Sequence, residues 1–494
     1  MSLTKIVCTL GPACESPAVL REMVRAGMTV ARLNFSHGTP DEKRTTAALV
    51  RQVAAEMGCQ VALMGDLQGP KIRVGVLPAE GVQLIAGQEV FLTAGEADLT
   101  TVYRIPFPHP DIVDDIRRGD RILLDDGALE LEVIAVAPPE VRCRVCVGGR
   151  LTSHKGVNLP GVQLQIPAMT SKDRDDALLA LELGLDYLAL SFVRKAADVT
   201  VLRDFLFEQA KVSPVREEGK SPHQTPGIVA KIEKPEALDD LEAIVRVADA
   251  VMVARGDLGV ETAPEQVPVV QKRIIHLCNR LSKPVITATQ MLQSMIEAPR
   301  PTRAEASDVA NAILDGSDAV MLSGETSVGK YPVEAVRMMS RIAETVEASA
   351  EFPYDQLLNV EERDLPDHVI ISRAISRATV SIAQATQATA ILTSTDSGRT
   401  ARMVARHRPR VPLLAITSFE ETARRMQLVW GVLPSVAVPF DTTDEMIEIL
   451  VKAAAAHGYA KVGNNVVLTA GIPFVVHGVT NMLKVHTVRE EDLN

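Results

Sequence analysis

The chain has 494 residues, of which 46% are hydrophobic and 23% are charged, and its formal net charge is -11. At about 150 residues per domain this length predicts about three domains, each large enough to bury a core. The acidic balance argues against nucleic acid as a partner and gives no broad cationic surface for anionic lipid, and no apolar run reaches the roughly eighteen residues that span a bilayer.

Short apolar runs rich in Val, Ile, Leu and Ala recur along the first two thirds of the chain, each followed by a stretch with helical spacing. This alternation is typical of parallel α/β folds. The predicted strands are residues 5–10, 29–34, 60–66, 186–192, 227–233, 249–255, 283–289 and 318–323. Eight such strands with intervening helices predict a closed (β/α)8 TIM barrel.

One gap in this series is too long for a single βα unit. About 120 residues separate the third run from the fourth, whereas the other runs mostly lie about 25 to 40 residues apart. Short alternating strands are predicted within the gap at 82–84, 89–92, 121–124, 129–136 and 141–147. Gly, Pro and Asp-Asp-Gly turns separate them. We therefore predict a small β-barrel cap domain at 72–166, inserted into a barrel domain formed by 1–71 and 167–349.

A different pattern begins near residue 350. It predicts a helix at 367–385 and strands at 390–393, 412–417, 435–438, 466–469 and 483–488. These elements predict an open α/β domain over 350–494. Residues 211–226, which contain three prolines and many charges, predict an exposed loop in the barrel domain.

The carboxyl ends of the barrel strands are where the active site of such a barrel lies. In this sequence they carry Arg32, Lys231, Asp66, Glu233, Asp257, Ser36, Thr289 and Ser323. Two cations beside several carboxylates favour a divalent metal with a phosphorylated substrate, because Mg2+ binds one or two carboxylates and completes its shell with water and substrate oxygens. For any one of these residues alone, a strand-end cap or a surface salt bridge is the more ordinary role. Because six strand ends carry such residues together, an active site is favoured over these structural roles.

Some residues keep two interpretations. His37 is either a phosphate donor or a neighbour of a helix N-cap. Glu261, Arg303 and Glu325 either orient ligands or form structural ion pairs. The loop at 395–400 offers N-H groups to a phosphate or forms an ordinary capped turn.

The six cysteines show no disulfide-framework spacing, so we expect a reducing, cytoplasmic location. Cys143 and Cys146 match C-x-x-C, but they lie in a strand pattern in which residues three apart face opposite sides. Structural cysteines are therefore favoured over a zinc site. Trp430, the single tryptophan, is interpreted as a packing anchor of the last domain.

Several motifs resemble the signatures of pyruvate kinases, and the resemblance covers nearly the whole chain. The matching segments are 31–38, Lys231-Ile232-Glu233, 253–259, 288–292, 301–305, 307–311 and 321–326. The resemblance implies a barrel interrupted by a β cap and followed by an allosteric α/β domain. It also implies a homotetramer that transfers a phosphoryl group from phosphoenolpyruvate to ADP, giving pyruvate and ATP.

The resemblance assigns roles at the barrel mouth. Lys231 stabilises charge on the transferring phosphoryl group and Arg32 binds the phosphate. Glu233 and Asp257 hold Mg2+ or Mn2+. The backbone at Gly256 and Asp257 receives the substrate carboxylate.

It also assigns proton-transfer and nucleotide positions. Thr289 lies beside the enol, and Ser323 belongs to the relay that protonates it. The nucleotide-binding positions are Asn34, His37, Arg73 and Lys155. Closure of the cap is expected to bring Lys155 over the site and exclude water.

One departure from the family concerns K+. Potassium-dependent members carry a glutamate where this sequence has Lys71. The monovalent-cation region of the family corresponds to Asn34, Ser36, Asp66 and Leu67. Because an ammonium group at Lys71 can supply the charge that K+ otherwise provides, we expect activity that does not require K+.

A second departure is Asp396. Members activated by fructose 1,6-bisphosphate often carry a basic residue at this position, and an acid beside a bound phosphate is repulsive. We therefore expect AMP or a sugar monophosphate as the phosphorylated activator. The binding positions expected for it are Thr395, Ser397, Gly398, Arg399 and Thr400.

Two other functions are compatible with parts of the pattern. One is a different metal-dependent barrel enzyme acting on phosphoenolpyruvate or an oxoacid, such as a mutase or an aldolase. Arg73 and Lys155 argue against it, because such enzymes need no nucleotide lid. The other is a catalytically silent paralogue that senses metabolites through the last domain, and the presence of Lys231, Glu233 and Asp257 argues against that function.

Overall fold

The computed structural model describes residues 2–94, 103–162, 164, 166–211, 221, 223–355, 366–472 and 479–493. Its strands are β1 Lys5–Thr9, β2 Met28–Asn34, β3 Ala62–Asp66, β4 Val82–Leu84, β5 Glu89–Thr93, β6 Tyr103–Pro106, β7 Arg121–Leu124, β8 Leu129–Ala137, β9 Glu140–Val147, β10 Gly149–Leu151, β11 Val157–Asn158, β12 Tyr187–Leu190, β13 Gly227–Ile232, β14 Ala250–Ala254, β15 Val285–Ala288, β16 Ala319–Leu322, β17 Ala390–Ser394, β18 Leu413–Thr417, β19 Val432–Val436, β20 Asn465–Ala470 and β21 Met482–Thr487. Its helices are α1 Pro17–Ala26, α2 Pro40–Glu56, α3 Pro110–Val113, α4 Ser171–Glu182, α5 Ala196–Ala210, α6 Leu241–Val247, α7 Arg255–Glu261, α8 Val267–Leu281, α9 Arg303–Leu314, α10 Gly324–Ser327, α11 Pro332–Glu347, α12 Asp367–Ala385, α13 Arg399–Ala405, α14 Glu420–Met426 and α15 Thr443–Ala456.

The predicted TIM barrel is confirmed. Its parallel strands close in the order β1-β16-β15-β14-β13-β12-β3-β2. Strands β1, β3 and β14 are buried at every position, which explains why they form continuous apolar runs rather than an alternating pattern. One apolar core fills the inside of the barrel, and a larger one lies between the strands and the surrounding helices.

Three helices around the barrel, α2, α4 and α9, begin with reciprocal caps. The amide of Glu42 donates to the hydroxyl of Thr39, and the Glu42 carboxylate accepts from the Thr39 amide. The same arrangement begins α4 at Thr170 and α9 at Thr302. Each cap satisfies two N-H groups that the first helical turn leaves without partners. These caps therefore fix where the loops before α2, α4 and α9 end.

Strands β4 to β11 lie between β3 and β12 and form the predicted β-rich cap. Six of them form a sheet in the order β11-β7-β8-β9-β5-β6, and β10 pairs with β4. On β9, Cys143 is buried and Cys146 is exposed, so the prediction that they face opposite sides is confirmed. The short strands β6, β10 and β11 were not predicted.

The last sheet has the order β19-β18-β17-β20-β21, with β21 antiparallel to β20 and the other strands parallel. Helix α12 spans the predicted 367–385. The strand predicted at 435–438 is misplaced, because β19 begins at the buried Val432, whereas Val436 and Val438 are exposed. The predicted loop at 211–226 lies largely outside the described residues.

The last domain packs against the amino-terminal end of the barrel. Asp318, just before β16, pairs with Arg408 at 3.0 Å, and Asp186, just before β12, pairs with Arg424 at 2.8 Å. Trp430 is buried and stacks on Phe352 with ring centroids 5.6 Å apart. Its amide donates to the Asp318 carboxylate, so Trp430 anchors the contact between the two domains as well as the last domain itself.

No helix in the described part of the chain is long and apolar enough to cross a membrane.

Candidate active site

A buried network joins predicted residues of three strand ends, and one residue of a fourth, at the barrel mouth. The Nζ atom of Lys231 lies 3.1 Å from Asp66 Oδ1 and 2.8 Å from Glu233 Oε1. It also donates to Ser191 Oγ at 2.7 Å. Arg32 Nε lies 2.7 Å from the other oxygen of Asp66. Ser191 was not predicted as a site residue, although it too lies at the carboxyl end of a predicted strand.

The charges in this network reinforce one another. Burial alone would raise the pKa of Asp66, but Arg32 and Lys231 hold it below its usual range. Burial alone would lower the pKa of Lys231, but Asp66 and Glu233 raise it well above the usual range. Lys231 is therefore a fixed cation in a site from which bulk water is largely excluded, where charge acts more strongly than in water.

Glu233 and Asp257 form an acidic pair beside this cation. Glu233 Oε2 accepts the amide of Phe192 at 2.8 Å, and Asp257 lies in the first turn of α7. Burial raises the pKa of Glu233, Lys231 opposes that shift, and Asp257 adds to it. Among the described residues, Asp257 forms no ion pair.

This donor set fits a divalent cation that is shared with a substrate. The described residues hold no group of three or more His, Cys, Asp or Glu side chains arranged around a metal position. Two carboxylates match Mg2+ or Mn2+, since Mg2+ commonly takes one or two carboxylates and completes its octahedron with water and substrate oxygens.

The loop after β15 is strained and is bound to the start of α7. The amide of Gly256 donates to Thr289 Oγ1 at 2.7 Å. Thr289 has φ 70 and Gln290 has φ 53, a region that costs a β-branched residue about 1–3 kcal/mol. Arg255 holds this conformation, because it donates to the Thr289 carbonyl at 2.8 Å and pairs with Asp308 at 2.7 Å. No sequence pattern indicated this role for Arg255.

The residues with two interpretations, Glu325, Glu261 and Arg303, have different surroundings. The buried carboxylate of Glu325 accepts the amides of Ser323 at 2.7 Å and Leu292 at 3.1 Å, so it orients two loops rather than forming an ion pair. Glu261 accepts from Asn158 of the cap at 2.7 Å and pairs with Lys234 of the barrel. Arg303 has an exposed side chain at the start of α9.

The predicted nucleotide residues of the cap are not joined to the Lys231 network. Arg73 donates to the carbonyl of His154 at 2.8 Å. Lys155 pairs with Asp125 at 2.7 Å, and the two side chains are 40% and 29% exposed. His37, on the barrel side, is exposed. In this conformation the cap therefore holds Lys155 away from the acids of the site.

The predicted monovalent-cation region is largely satisfied by protein groups. The amide of Ser36 donates to Asn34 Oδ1 at 3.0 Å, and the carbonyl of Leu67 accepts the Ser191 hydroxyl at 2.7 Å. Both oxygens of Asp66 are taken by the two cations of the network.

Lys71 lies on the cap side of the mouth. It lines the same cavity as Asp257, and its Cε atom lies 3.7 Å from the position that a β-carbon on Gly156 would take. Within the described ranges its ammonium group makes no contact with Asn34, Ser36 or Asp66. The structure thus brings Lys71 to the mouth without placing it in the predicted cation region.

The predicted effector loop comprises Thr395, Ser397, Gly398, Arg399 and Thr400. Thr395 and Thr400 are buried, and the Thr400 hydroxyl shares a hydrogen bond with Thr480 at 2.9 Å. Gly398 has φ 74, a backbone conformation that favours glycine, and a β-carbon there would also press on the Met426 side chain of α14. Ser397 and Arg399 are partly exposed at the loop surface.

Comparison with known proteins gives a consistent result. A family model described as "Pyruvate kinase, barrel domain" matches residues 1–336, and one described as "Pyruvate kinase, alpha/beta domain" matches residues 373–486. The chain is 45% identical over 489 residues to a pyruvate kinase of Geobacillus stearothermophilus, covering 99% of this chain and 80% of that protein. It is 43% identical over 488 residues to one of Clostridium acetobutylicum, covering 99% and 100%. A crystal structure of a pyruvate kinase from Cryptosporidium parvum matches with a TM-score of 0.89 at 36% identity, covering 98% of this chain and 96% of that one.

Proposed function

The chain belongs to the pyruvate kinase family, a family of phosphotransferases, and we propose that it transfers a phosphoryl group from phosphoenolpyruvate to ADP with Mg2+ or Mn2+ bound. The observation that carries the proposal is the buried contact of Lys231 with Asp66, Glu233 and Ser191. Such a preorganised cation stabilises charge that develops during phosphoryl transfer. An assay that follows pyruvate and ATP together tests this function.

Phosphate binding is assigned to Arg32 and Lys231. Arg32 already uses Nε on Asp66 and Nη1 on Thr9, and in the described part of the chain its Nη2 contacts no protein group. Its fixed guanidinium can therefore receive a phosphate oxygen without first reorganising. Glu233 and Asp257 would hold the divalent cation, which when bound neutralises charge on substrate oxygens.

The backbone at Gly256 and Asp257 is proposed to receive the substrate carboxylate. Thr289 is proposed to lie beside the enol and Ser323 to belong to the relay that protonates it, with the final proton donor left unassigned. The hydroxyl of Thr289 now accepts from Gly256 and donates to the carbonyl of Ala288 at 2.6 Å, so its position is fixed from two sides. Glu325 fixes the backbone of Ser323 in the same manner.

Nucleotide binding is proposed for Asn34, His37, Arg73 and Lys155. For Lys155 to reach the site, its ion pair with Asp125 must open. An ion pair this exposed contributes about 0–1 kcal/mol, so opening it costs little. Closure of the cap would then exclude water and protect the phosphoryl group from hydrolysis.

We expect turnover without K+, because Lys71 carries a permanent positive charge to the barrel mouth, on a flexible stem that would let the ammonium group approach the predicted cation region. The rate in K+-free and Na+-free buffer should change by less than about twofold when KCl is added, whereas Lys71→Glu should acquire K+ dependence. Steady-state rates at several KCl concentrations measure this. Lys452→Glu, the same change on the exposed face of α15, is the control. An increase of about a hundredfold or more in the unmodified protein would refute K+ independence.

We expect allosteric activation by AMP or a sugar monophosphate through the effector loop, with Asp396 disfavouring a second phosphate. Saturation curves for phosphoenolpyruvate with AMP, ribose 5-phosphate, glucose 6-phosphate and fructose 1,6-bisphosphate measure this. One of the three monophosphates should lower the half-saturating concentration. Activation by the bisphosphate alone would show that the acid at Asp396 does not set the preference.

Assembly, location and domain limits are proposed from family membership and the sequence pattern. They are a homotetramer, a cytoplasmic location, and domains at 1–71 with 167–349, at 72–166 and at 350–494. A catalytically silent paralogue is not favoured, since Lys231 and its acidic partners form a complete buried network.

A further inference from the structure

A cavity of about 490 Å³ lies between the amino-terminal end of the barrel and the last domain. Tyr187, Asp249 and Lys283 line it on the barrel side, and Arg373, Arg402 and Arg425 line it on the other. It therefore opens at the end of the barrel opposite to the strand ends that carry the candidate active site. Its volume lies in the range of small-molecule pockets. We call it the basic cavity.

The lining of the basic cavity is strongly cationic. Its basic side chains are Arg246, Lys283, Arg373, Arg399, Arg402 and Arg425. The lining contains a single carboxylate, that of Asp249, and this group is already engaged by Arg203 at 3.0 Å and by the amide of Ile228 at 2.8 Å. The cavity thus presents six basic side chains against one carboxylate, and of the six Arg246 pairs with Glu242 outside the lining.

Three of these cations are bound to neutral groups. Lys283 donates to backbone carbonyls, including that of Arg246 at 3.1 Å, and Arg402 donates to the carbonyl of Ser397 at 3.1 Å. Arg425 contacts a ring nitrogen of His223 at 2.8 Å and a backbone carbonyl. Within the described part of the chain none of the three forms an ion pair with a carboxylate.

The burial of these cations is unfavourable, and their pKa values are lowered as a result. Burial lowers the pKa of Lys283 to about 8. Burial also lowers the pKa of Arg402 and of Arg425 below their usual range. Buried charge without an opposite partner is unfavourable, and an anionic ligand would remove that penalty.

We propose that the basic cavity is a binding site for a phosphomonoester, with its phosphate held by Lys283 and the arginines of α12 to α14. One guanidinium group can bind two phosphate oxygens at the same time. A cavity of this size also has room for a sugar or a nucleoside beside the phosphate. The site differs from the effector loop, with which it shares only Arg399 among its lining residues. It does not depend on the proposed reaction.

A ligand in this position would contact the barrel and the last domain together. Binding would therefore stabilise their packing, and the melting temperature would rise with the logarithm of the ligand concentration once this exceeds the Kd.

Titration calorimetry of the full chain with ribose 5-phosphate, glucose 6-phosphate and AMP tests the site, each against its unphosphorylated counterpart. The measurement is made in Ser397→Asp, because an acid in the effector loop repels a phosphate there and Ser397 does not line the basic cavity. In this background at least one phosphomonoester should bind, and its counterpart should not. Adding Lys283→Gln should weaken binding by about tenfold or more, the value of one charged hydrogen bond.

Three further variants complete the test. Lys283→Arg should retain binding because it retains the charge, and Lys452→Gln, an equal loss of charge on the exposed face of α15, should change nothing. Arg373→Gln removes a cation from the opposite wall and should weaken binding even if Lys283→Gln fails to fold. Loss of all phosphomonoester binding in Ser397→Asp, or undiminished binding in both cavity variants, would overturn the proposal.

Discussion

Replacing Lys231 with Gln should lower kcat by about 10²–10³-fold, the usual cost of removing one preorganised group that stabilises transition-state charge. The KM for phosphoenolpyruvate should change far less, because the ammonium acts chiefly on charge that develops during transfer. The lost cation also leaves Asp66 and Glu233 buried side by side without their shared partner. Steady-state kinetics with saturating ADP and Mg2+ measure both constants.

Lys272→Gln is the matched control for this prediction. It makes the same change on the exposed surface of α8, where the lysine pairs with Asp315, and should leave kcat unchanged. A loss of less than about tenfold in Lys231→Gln would mean that the buried ammonium does not supply the main electrostatic stabilisation.

Arg408→Met should destabilise the protein by about 3–5 kcal/mol, because it removes one partner of a buried ion pair and leaves the other charged. The side chains of Arg408 and Asp318 are 3% and 8% exposed, and their charged atoms are 3.0 Å apart. Asp318 would keep only its amide donors, from Val285 and Trp430. The pair connects the start of β16 to the last domain, so the interface should open first.

Urea unfolding followed by tryptophan fluorescence measures this effect, because the chain has a single tryptophan and it lies in this interface. Arg21→Met is the control, since its pair with Glu56 is 34% and 38% exposed and should contribute about 0–1 kcal/mol. Equal urea midpoints for the two variants would show that the buried pair does not hold the domains together.

The barrel could be predicted because a strand buried on both faces needs a continuous apolar run, and its polar end then marks the mouth. Arg32, Asp66, Lys231 and Glu233 were found in that way, and they form one network. The short strands β6, β10 and β11 gave no comparable signal, since β11 has only two residues. In β19, Val436 is exposed although an apolar residue in a strand suggests a buried position. The strand was therefore predicted too far toward the carboxyl terminus.

Other parts of the site depend on contacts that no local pattern shows. The positive φ of Thr289 runs against the preference of a β-branched residue, and only the contacts of Arg255 and Gly256 make it tolerable. Asp318 and Arg408 are 90 residues apart in sequence and meet only through the packing of two domains. The basic cavity has the same origin, because its walls come from elements that are distant along the chain.

The most direct test of phosphoryl transfer is an assay of the purified chain that follows pyruvate and ATP from phosphoenolpyruvate and ADP at saturating MgCl2. We expect equal amounts of both products, with turnover lost when EDTA removes the divalent cation and restored by Mg2+ or Mn2+. Absence of pyruvate at saturating Mg2+, or pyruvate without ATP, would contradict phosphoryl transfer at the site built around Lys231.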